Sequence, residues 1–373
     1  MSLRSLFSRR NQKSPPSEPG EFVLPSDVPP VEQFIAALGL LPDNLCMRDH
    51  PRWRSPRKVL VSAGTPRLLA WLGEIAPGVA LVPFELEADG LREVEDADAV
   101  IGWFSPAMIE RGQALSWLQV HTAGVENALR VPAIGARGIV VTNLKRVAGP
   151  VVAEHVFAML LSLARRLGPL HERQQERRWA QFEVPESSFH TLRGRSLVVV
   201  GLGGIGSEVA RLGHAFGLTV GAVRASGTDA PAFVQAVTPV GRMFEALATA
   251  DIVVNALPAT PKTLRLFDAA AFRSMRPGAI FVNVARGLSV VTDDLVGALS
   301  SGHLAAAALD VTDPEPLPAS HPLWSMPNVL ITPHVAGMNG DTTSNGWRVM
   351  RENLRRFVAG DTLLSVVDFN RGY

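Results

Sequence analysis

Thiol chemistry is almost absent from this chain of 373 residues: Cys46 is the only cysteine. An intramolecular disulfide is impossible and a zinc cluster held by thiolates is excluded, which fits a reducing cytoplasm. Net charge is nearly absent too. Lys and Arg number 36 against 35 Asp and Glu, a formal +1, so no strong global field recruits nucleic acid or an anionic membrane. A run of about 18 apolar residues is missing, so no transmembrane helix is expected. The N-terminus carries Arg9-Arg10 with no apolar stretch behind them. It lacks a secretory h-region, and the pair reads as a floppy basic tail rather than a twin-arginine signal. No self-similarity at a period of about 20–50 residues marks a repeat architecture.

What the chain has is length for two domains, at roughly 100–200 residues each, and a hydrophobic share of 47%. Residues 1–57 are expected to be an N-terminal extension, partly disordered because its start is rich in Pro, Ser and charge. Within it, Val31 to Leu41 reads as a short helix. Arg48 to Lys58, basic and holding Pro51 and Pro56, reads as a solvated linker, with order beginning near Lys58. Short apolar strands follow at Val59–Val61, Val79–Val82, Ala99–Ile101 and Leu118–Val120. Pro150 to Leu167 carries apolar residues at Val152, Val156, Met159, Leu160 and Leu163, the spacing of one helix face. His155 on that helix reads as a packing or interface histidine.

From Ser196 the strands recur at Leu197–Val200, Val220–Val223, Ile252–Ala256, Ile280–Val284, Ala306–Val311 and Val329–Thr332. The final helix, Asn345 to Val358, returns to the first domain. The expected fold is α/β: two Rossmann-like domains with doubly wound parallel sheets. A substrate domain, discontinuous in sequence, spans 58–146 and is completed by 338–373. A dinucleotide-binding domain spans 147–337.

Ser196–Val200 runs into Gly201, Gly203, Gly204, Ile205 and Gly206, and helical spacing follows. In a strand–turn–helix context Gly201 makes the turn, Gly203 lets the backbone approach a pyrophosphate, and Gly206 lets helix pack on strand. The N–H groups at the helix start then hold the anion. The next strand ends in Arg224, followed by Ser226, where an NAD-preferring site would carry Asp or Glu. An arginine fork pairs with a 2′-phosphate, so NADP(H) is expected over NAD(H), which stays possible.

Three later strand ends deliver Arg286, Glu315 and His334 to one edge. Reducing a 2-oxo acid needs a cation to hold the carboxylate and polarise the ketone, a role for Arg286. It needs an acid to protonate the alkoxide as hydride arrives, a role for His334. Glu315 would stabilise the imidazolium and orient the ring.

With Val152–His155, the Gly201–Gly206 loop, Leu257–Pro261, Asn283–Gly287, Asp310–Leu317 and Thr332–His334, the chain resembles the D-isomer-specific 2-hydroxyacid dehydrogenase family over roughly residues 58 to 373. That family includes glyoxylate/hydroxypyruvate reductases and 3-phosphoglycerate dehydrogenases. The resemblance implies that Arg286, Glu315 and His334 are catalytic, with Arg286 and His334 also touching substrate. It implies that backbone N–H groups of Ala123, Gly124 and Val125 hold the substrate carboxylate. Leu257, Pro258 and Thr263 would flank the adenosine end of the cofactor. Val284 and Ala285 would line it, and Asp310 would contact the nicotinamide amide. Trp103, in a turn near the expected substrate entrance, reads either as a limit on substrate size or as ordinary domain packing.

The absence of a regulatory domain after Tyr373 sets an expectation against the longer 3-phosphoglycerate dehydrogenases. Glu315, where formate dehydrogenases use glutamine, fits the oxo-acid branch. The implied protein is a cytoplasmic homodimer acting on a small 2-oxo or 2-hydroxy acid of glyoxylate/hydroxypyruvate type, without metal, nucleic acid or membrane. Two rivals stay open: an NAD(P)-sensing, corepressor-like binding protein, and a phosphite-type dehydrogenase of the same fold.

Overall fold

Short runs of Val, Ile, Leu and Ala, flanked by turn residues, build two parallel sheets in this protein. The computed structural model describes residues 30–373 except Ser226 and Thr228, and the side chains of these except Asp43 and Asp341. The tail at residues 1–29, with Arg9-Arg10, lies outside the described residues, as does Ser226.

The chain begins with a helix, Val31–Leu38, and strand β1, Pro42–Cys46. Strands β2 (Lys58–Ser62), β3 (Ala80–Phe84), β4 (Ala99–Ile101), β5 (Trp117–Gln119) and β6 (Val140–Thr142) form a five-stranded sheet in the order β3-β2-β4-β5-β6. Every pair in it is parallel. The helix Gly149–Ala164 then leads to β7 (Ser196–Val200), β8 (Thr219–Arg224), β9 (Ala236–Pro239), β10 (Ile252–Asn255), β11 (Ala279–Asn283), β12 (Leu304–Leu309) and β13 (Val329–Ile331). These make a seven-stranded sheet in the order β13-β12-β11-β10-β7-β8-β9, again parallel throughout. The helix Gly340–Ala359 returns to the first sheet, and β14 (Thr362–Leu364) pairs antiparallel with β1. The fold is α/β.

Strand alternation sorts the core. Leu197 and Val199 of β7 face the Gly149–Ala164 helix through Val152, Val156 and Leu160. Val198 and Val200 face the opposite layer with Phe272, Phe281 and Leu295, as expected when a parallel strand is buried on both faces. The order of the larger sheet reverses beside β7, which lies between β10 and β8. That reversal opens a crevice at the strands' C-terminal ends.

Order begins earlier than Lys58. The first helix stops at Leu38 rather than Leu41 because Gly39 takes a left-handed φ of 60° and its N–H caps Ala36. Phe34, Leu40 and Met47 are buried against Val59, Val61, Leu354 and Phe357. The stretch Arg48 to Lys58 is docked, not a solvated linker. Arg48 Nη2 donates to the Ala359 carbonyl at 2.7 Å, Arg52 Nε to Leu115 at 3.1 Å, and Trp53 Nε1 to Phe357 at 2.9 Å. Buried Asp98 accepts from Arg54 Nε and from the N–H groups of Arg57 and Lys58. Arginines reaching scattered backbone carbonyls leave no apolar periodicity to read. The long helix also ends earlier, at Ala164, where Arg166 adopts φ 54° and a second helix, Leu167–Gln175, starts.

Candidate active site

β13, β12 and β11 are neighbours in the sheet. Beyond their C-terminal ends stand His334, then Asp310 and Glu315, then Arg286. His334 Nδ1 lies 2.6 Å from Glu315 Oε1, with both side chains about half exposed. A carboxylate only accepts, so Nδ1 carries the proton and Nε2 is the nitrogen left for a substrate. The imidazole is aimed by its backbone. His334 has φ 55°, and its N–H donates to the carbonyls of Asp310 at 2.8 Å and Thr332 at 3.0 Å.

Asp310 is 3% exposed, and its carboxylate bonds the same turn. Oδ1 accepts from Thr332 Oγ1 at 2.6 Å and from the Val335 N–H at 3.0 Å, and Oδ2 accepts from the Ala336 N–H at 3.1 Å. His155 Nε2 is 2.9 Å from Thr332 Oγ1. Because that hydroxyl gives its one proton to Asp310, His155 donates to it. His155 therefore packs beneath the turn that carries His334.

Arg286 reaches across to the first sheet. Its Nε donates to Glu126 Oε1 at 2.9 Å, and its Nη1 donates to the Ala285 carbonyl at 2.8 Å. Its backbone carbonyl accepts from Ser289 Oγ at 2.7 Å and Asn283 Nδ2 at 3.3 Å. Asn255 Nδ2 bonds both Asn283 Oδ1 and Ser289 Oγ, so a buried amide–hydroxyl network fixes where the arginine begins. Val284 and Ala285 are buried just ahead of it.

The loop after β5 abuts the guanidinium. A Cβ on Gly124 would lie 2.1 Å from Arg286 Nη2, so a larger residue there would push the guanidinium out of this position. The loop's carbonyls are engaged. Thr122 accepts from the Leu144 N–H at 3.0 Å, Ala123 from Asn143 Nδ2 at 2.7 Å, and Gly124 from Thr122 Oγ1 at 2.7 Å. Among the described residues, none accepts from the N–H groups of Ala123, Gly124 or Val125. Three consecutive N–H groups without an internal partner, beside a guanidinium, form a concavity suited to an anion.

Farther along the edge, the glycine loop follows β7. A Cβ on Gly206 would stand 1.9 Å from the Gly201 carbonyl oxygen, so the helix Gly204–Ala215 packs as closely as a side chain forbids. Gly203 caps that helix, and a Cβ there would meet no protein atom within 4 Å, leaving its face open to a ligand. Gly204 and Ile205 open the helix. Arg224 ends β8 with its Nη1 2.5 Å from the Asp229 carbonyl. Leu257, Pro258 and Thr263 line the loop after β10, where Thr263 Oγ1 donates to the Pro258 carbonyl at 2.7 Å. These residues fit a dinucleotide: an open glycine cap at a helix N-terminus for the pyrophosphate, and a cation at the second strand end. Trp103 packs on Phe84, ring centroids 5.1 Å apart, which favours domain packing.

Comparison with known proteins agrees with this geometry. A family model described as the NAD-binding domain of D-isomer-specific 2-hydroxyacid dehydrogenases matches residues 157–336. A glyoxylate/hydroxypyruvate reductase A of Photorhabdus laumondii is 30% identical over 285 residues, 74% of this chain and 88% of the relative. The chain belongs to the D-isomer-specific 2-hydroxyacid dehydrogenase family. A crystal structure of a member from Aeromonas salmonicida superposes with a TM-score of 0.73 at 34% identity, covering 84% of this chain and all of that one. A member from Xanthobacter autotrophicus Py2, solved with NADPH and MES, gives a TM-score of 0.73 at 30% identity, covering 86% of this chain and all of that one. The seven-stranded sheet here is thus this family's NAD-binding domain.

The residues that sequence reasoning missed are the supports. Glu126, Asn143, Asn255, Ser289 and Thr332 hold the expected site residues in place. All but Ser289, three residues from Arg286, act on partners 20 or more residues away, so no local spacing betrays them. Among the described residues, no helix is long and apolar enough to cross a membrane.

Proposed function

We propose that the protein reduces a small 2-oxo acid of glyoxylate or hydroxypyruvate type to the D-2-hydroxy acid, using NADPH in preference to NADH. The observation that carries this reading is the pairing of Arg286 with the three unpartnered N–H groups of Ala123, Gly124 and Val125 on the edge that also holds the His334–Glu315 pair. A carboxylate fits the N–H groups, and the arginine can hold both it and the neighbouring ketone oxygen. The reductase name of the Photorhabdus relative and the NADPH bound to the Xanthobacter neighbour support the same assignment.

Bound NADPH supplies the hydride. The protein's own residues do the rest. The 123–125 loop and Arg286 present C2 to that hydride and stabilise the negative charge growing on the ketone oxygen. His334 gives its Nε2 proton to that oxygen, completing the alcohol, and Glu315 supports the imidazolium beforehand. Asp310, through Thr332, Val335 and Ala336, keeps the His334 turn in place. At the adenosine end, Arg224 and Ser226 would receive the 2′-phosphate, with Leu257, Pro258 and Thr263 beside the base. Asp310 would reach the nicotinamide amide from its carboxylate edge.

The working unit is a homodimer in the cytoplasm, with no nucleic-acid partner. Trp179 and Phe182, 92% and 91% exposed on the segment after the Leu167–Gln175 helix, support self-association. Apolar rings of that size are normally covered. The lone thiol of Cys46 fits a reducing compartment. Steady-state turnover of glyoxylate and hydroxypyruvate with each cofactor is the decisive assay. Silence across a broad 2-oxo acid panel would remove the enzyme reading in favour of a binding protein, and NAD(P)+ reduction by phosphite would replace the substrate class.

A further inference from the structure

The geometry points to Glu126 as the positioning residue for Arg286, and to their ion pair as a latch between the two sheets across the cleft. Glu126 opens a four-residue helix just after the carboxylate loop of the first sheet, and Arg286 follows β11 of the second. They are 160 residues apart in sequence and 2.9 Å apart in space. This inference rests on the reading that Arg286 meets the substrate carboxylate.

The guanidinium is divided between two tasks. Its Nε edge is given to Glu126, and Nη1 also holds the Ala285 carbonyl. Its Nη2 lies against the Gly124 backbone, beside the unpartnered N–H groups. Rotation about the last side-chain bonds would carry Nη2 away from that loop. The Glu126 bond opposes that rotation, so the outward edge of the fork is aimed before substrate arrives. Glu126 Oε2 also lies 2.5 Å from where a Gly124 Cβ would stand. The acid thus flanks the same spot from the other side.

A second effect pulls the opposite way. The Glu126 charge repels an incoming carboxylate and shares the arginine with it. Which effect wins follows from exposure. The side chains of Arg286 and Glu126 are 35% and 29% exposed, so solvent and salt weaken the repulsion. Aim rests on a direct 2.9 Å hydrogen bond, which solvent and salt weaken less than a repulsion between separated charges. Glu126 therefore raises substrate affinity rather than competing with it.

The test is a set of variants at residue 126, assayed with glyoxylate and hydroxypyruvate at saturating NADPH. Glu126→Gln keeps the reach and an oxygen to accept from Nε but loses the charge. Glu126→Asp keeps the charge but is one methylene short. Glu126→Leu loses both. Positioning predicts that Leu raises KM about tenfold and lowers kcat, that Asp follows it, and that Gln stays near the parent. NADPH affinity, read by fluorescence titration, stays unchanged in all three. A charge role would reverse the order of Asp and Gln, and competition would lower KM in Leu; either result overturns the inference. If Leu fails to fold in a thermal melt, the Asp-against-Gln order still decides. Arg286→Ala is the control. If it turns over glyoxylate like the parent, the reading of Arg286 itself fails, whereas an inactive Arg286→Ala beside a parent-like Leu removes only the latch.

Discussion

Two regions of this protein were built by different rules. The C-terminal edge of the seven-stranded sheet holds the residues proposed to do the chemistry: Gly203, Arg224, Arg286, Glu315 and His334, each delivered beyond the end of a strand. The segment from residue 30 to residue 57 holds residues chosen by docking. Phe34 sits in the core, and Arg48, Arg52 and Trp53 donate to carbonyls of distant segments. The first region is half exposed and strained at His334, with φ 55°. The second is tied down by side chains that reach distant segments. The lesson is that activity and stability should separate cleanly between them.

The widest separation is expected at His334. His334→Ala should lower turnover about 1000-fold, the scale of a positioned general acid, while cofactor affinity and melting temperature hold. Turnover near that of the parent would move proton donation elsewhere. Glu315→Gln should leave the imidazole in place but withdraw its charge partner. Turnover should then fall about tenfold while cofactor affinity holds, because the ring loses the carboxylate that orients it. Turnover equal to that of the parent would deny the acid its role.

Phe34→Ala should show the converse. Phe34 is 7% exposed, and its ring lies 3.8 Å beneath the Arg348 guanidinium carbon. Truncation should cost about 3 kcal/mol in denaturant unfolding and leave kcat unchanged once the protein is folded. A large loss of kcat at full folding would mean that the docked segment communicates with the site after all. Smaller again is Arg224→Asp, which tests cofactor choice at the sheet edge. It should weaken NADPH about 50-fold and NADH little, roughly the value of a charge-assisted contact. Equal losses would show that Arg224 serves the adenosine and not a phosphate.

The same contrast explains what could be read in the sequence. Strands buried on both faces announce themselves as Val and Ile runs, and the glycine loop and the Arg, Glu and His motifs follow them directly. Family resemblance on those motifs led to the fold and to the reaction class. β1, with the sequence Pro-Asp-Asn-Leu-Cys, has no strand propensity and exists because β14 pairs with it. β6 and β9 are short edge strands with little to mark them. Glu126 reads as one acid in a polar loop until a partner 160 residues away is brought to it. The resemblance puts Asp310 at the nicotinamide; its two oxygens also hold the His334 turn, a duty that depends on bonds across a turn rather than on spacing.

The smallest effect should come from a buried acid on the docking side. Glu352, in the Gly340–Ala359 helix, is 6% exposed and accepts from Arg355 Nη2 and Arg356 Nε at 2.9 and 2.7 Å. Burial pushes its carboxyl upward, but the hydrogen bonds from Arg355 and Arg356 outweigh it and hold the group below the usual carboxylate range. A folded value below the unfolded one means that the contribution is present above the unfolded value, near pH 4.5, and is lost as pH falls through the folded one. Glu352→Gln should therefore destabilise by about 1 kcal/mol at pH 7, replacing charge-assisted bonds with neutral ones. The gap between parent and variant should narrow below about pH 4. Turnover at pH 7 should not change, since the helix face concerned lies against β14 and the docked segment rather than the crevice. A gap that stayed constant down to the acid transition would show that packing, not charge, is what Glu352 contributes.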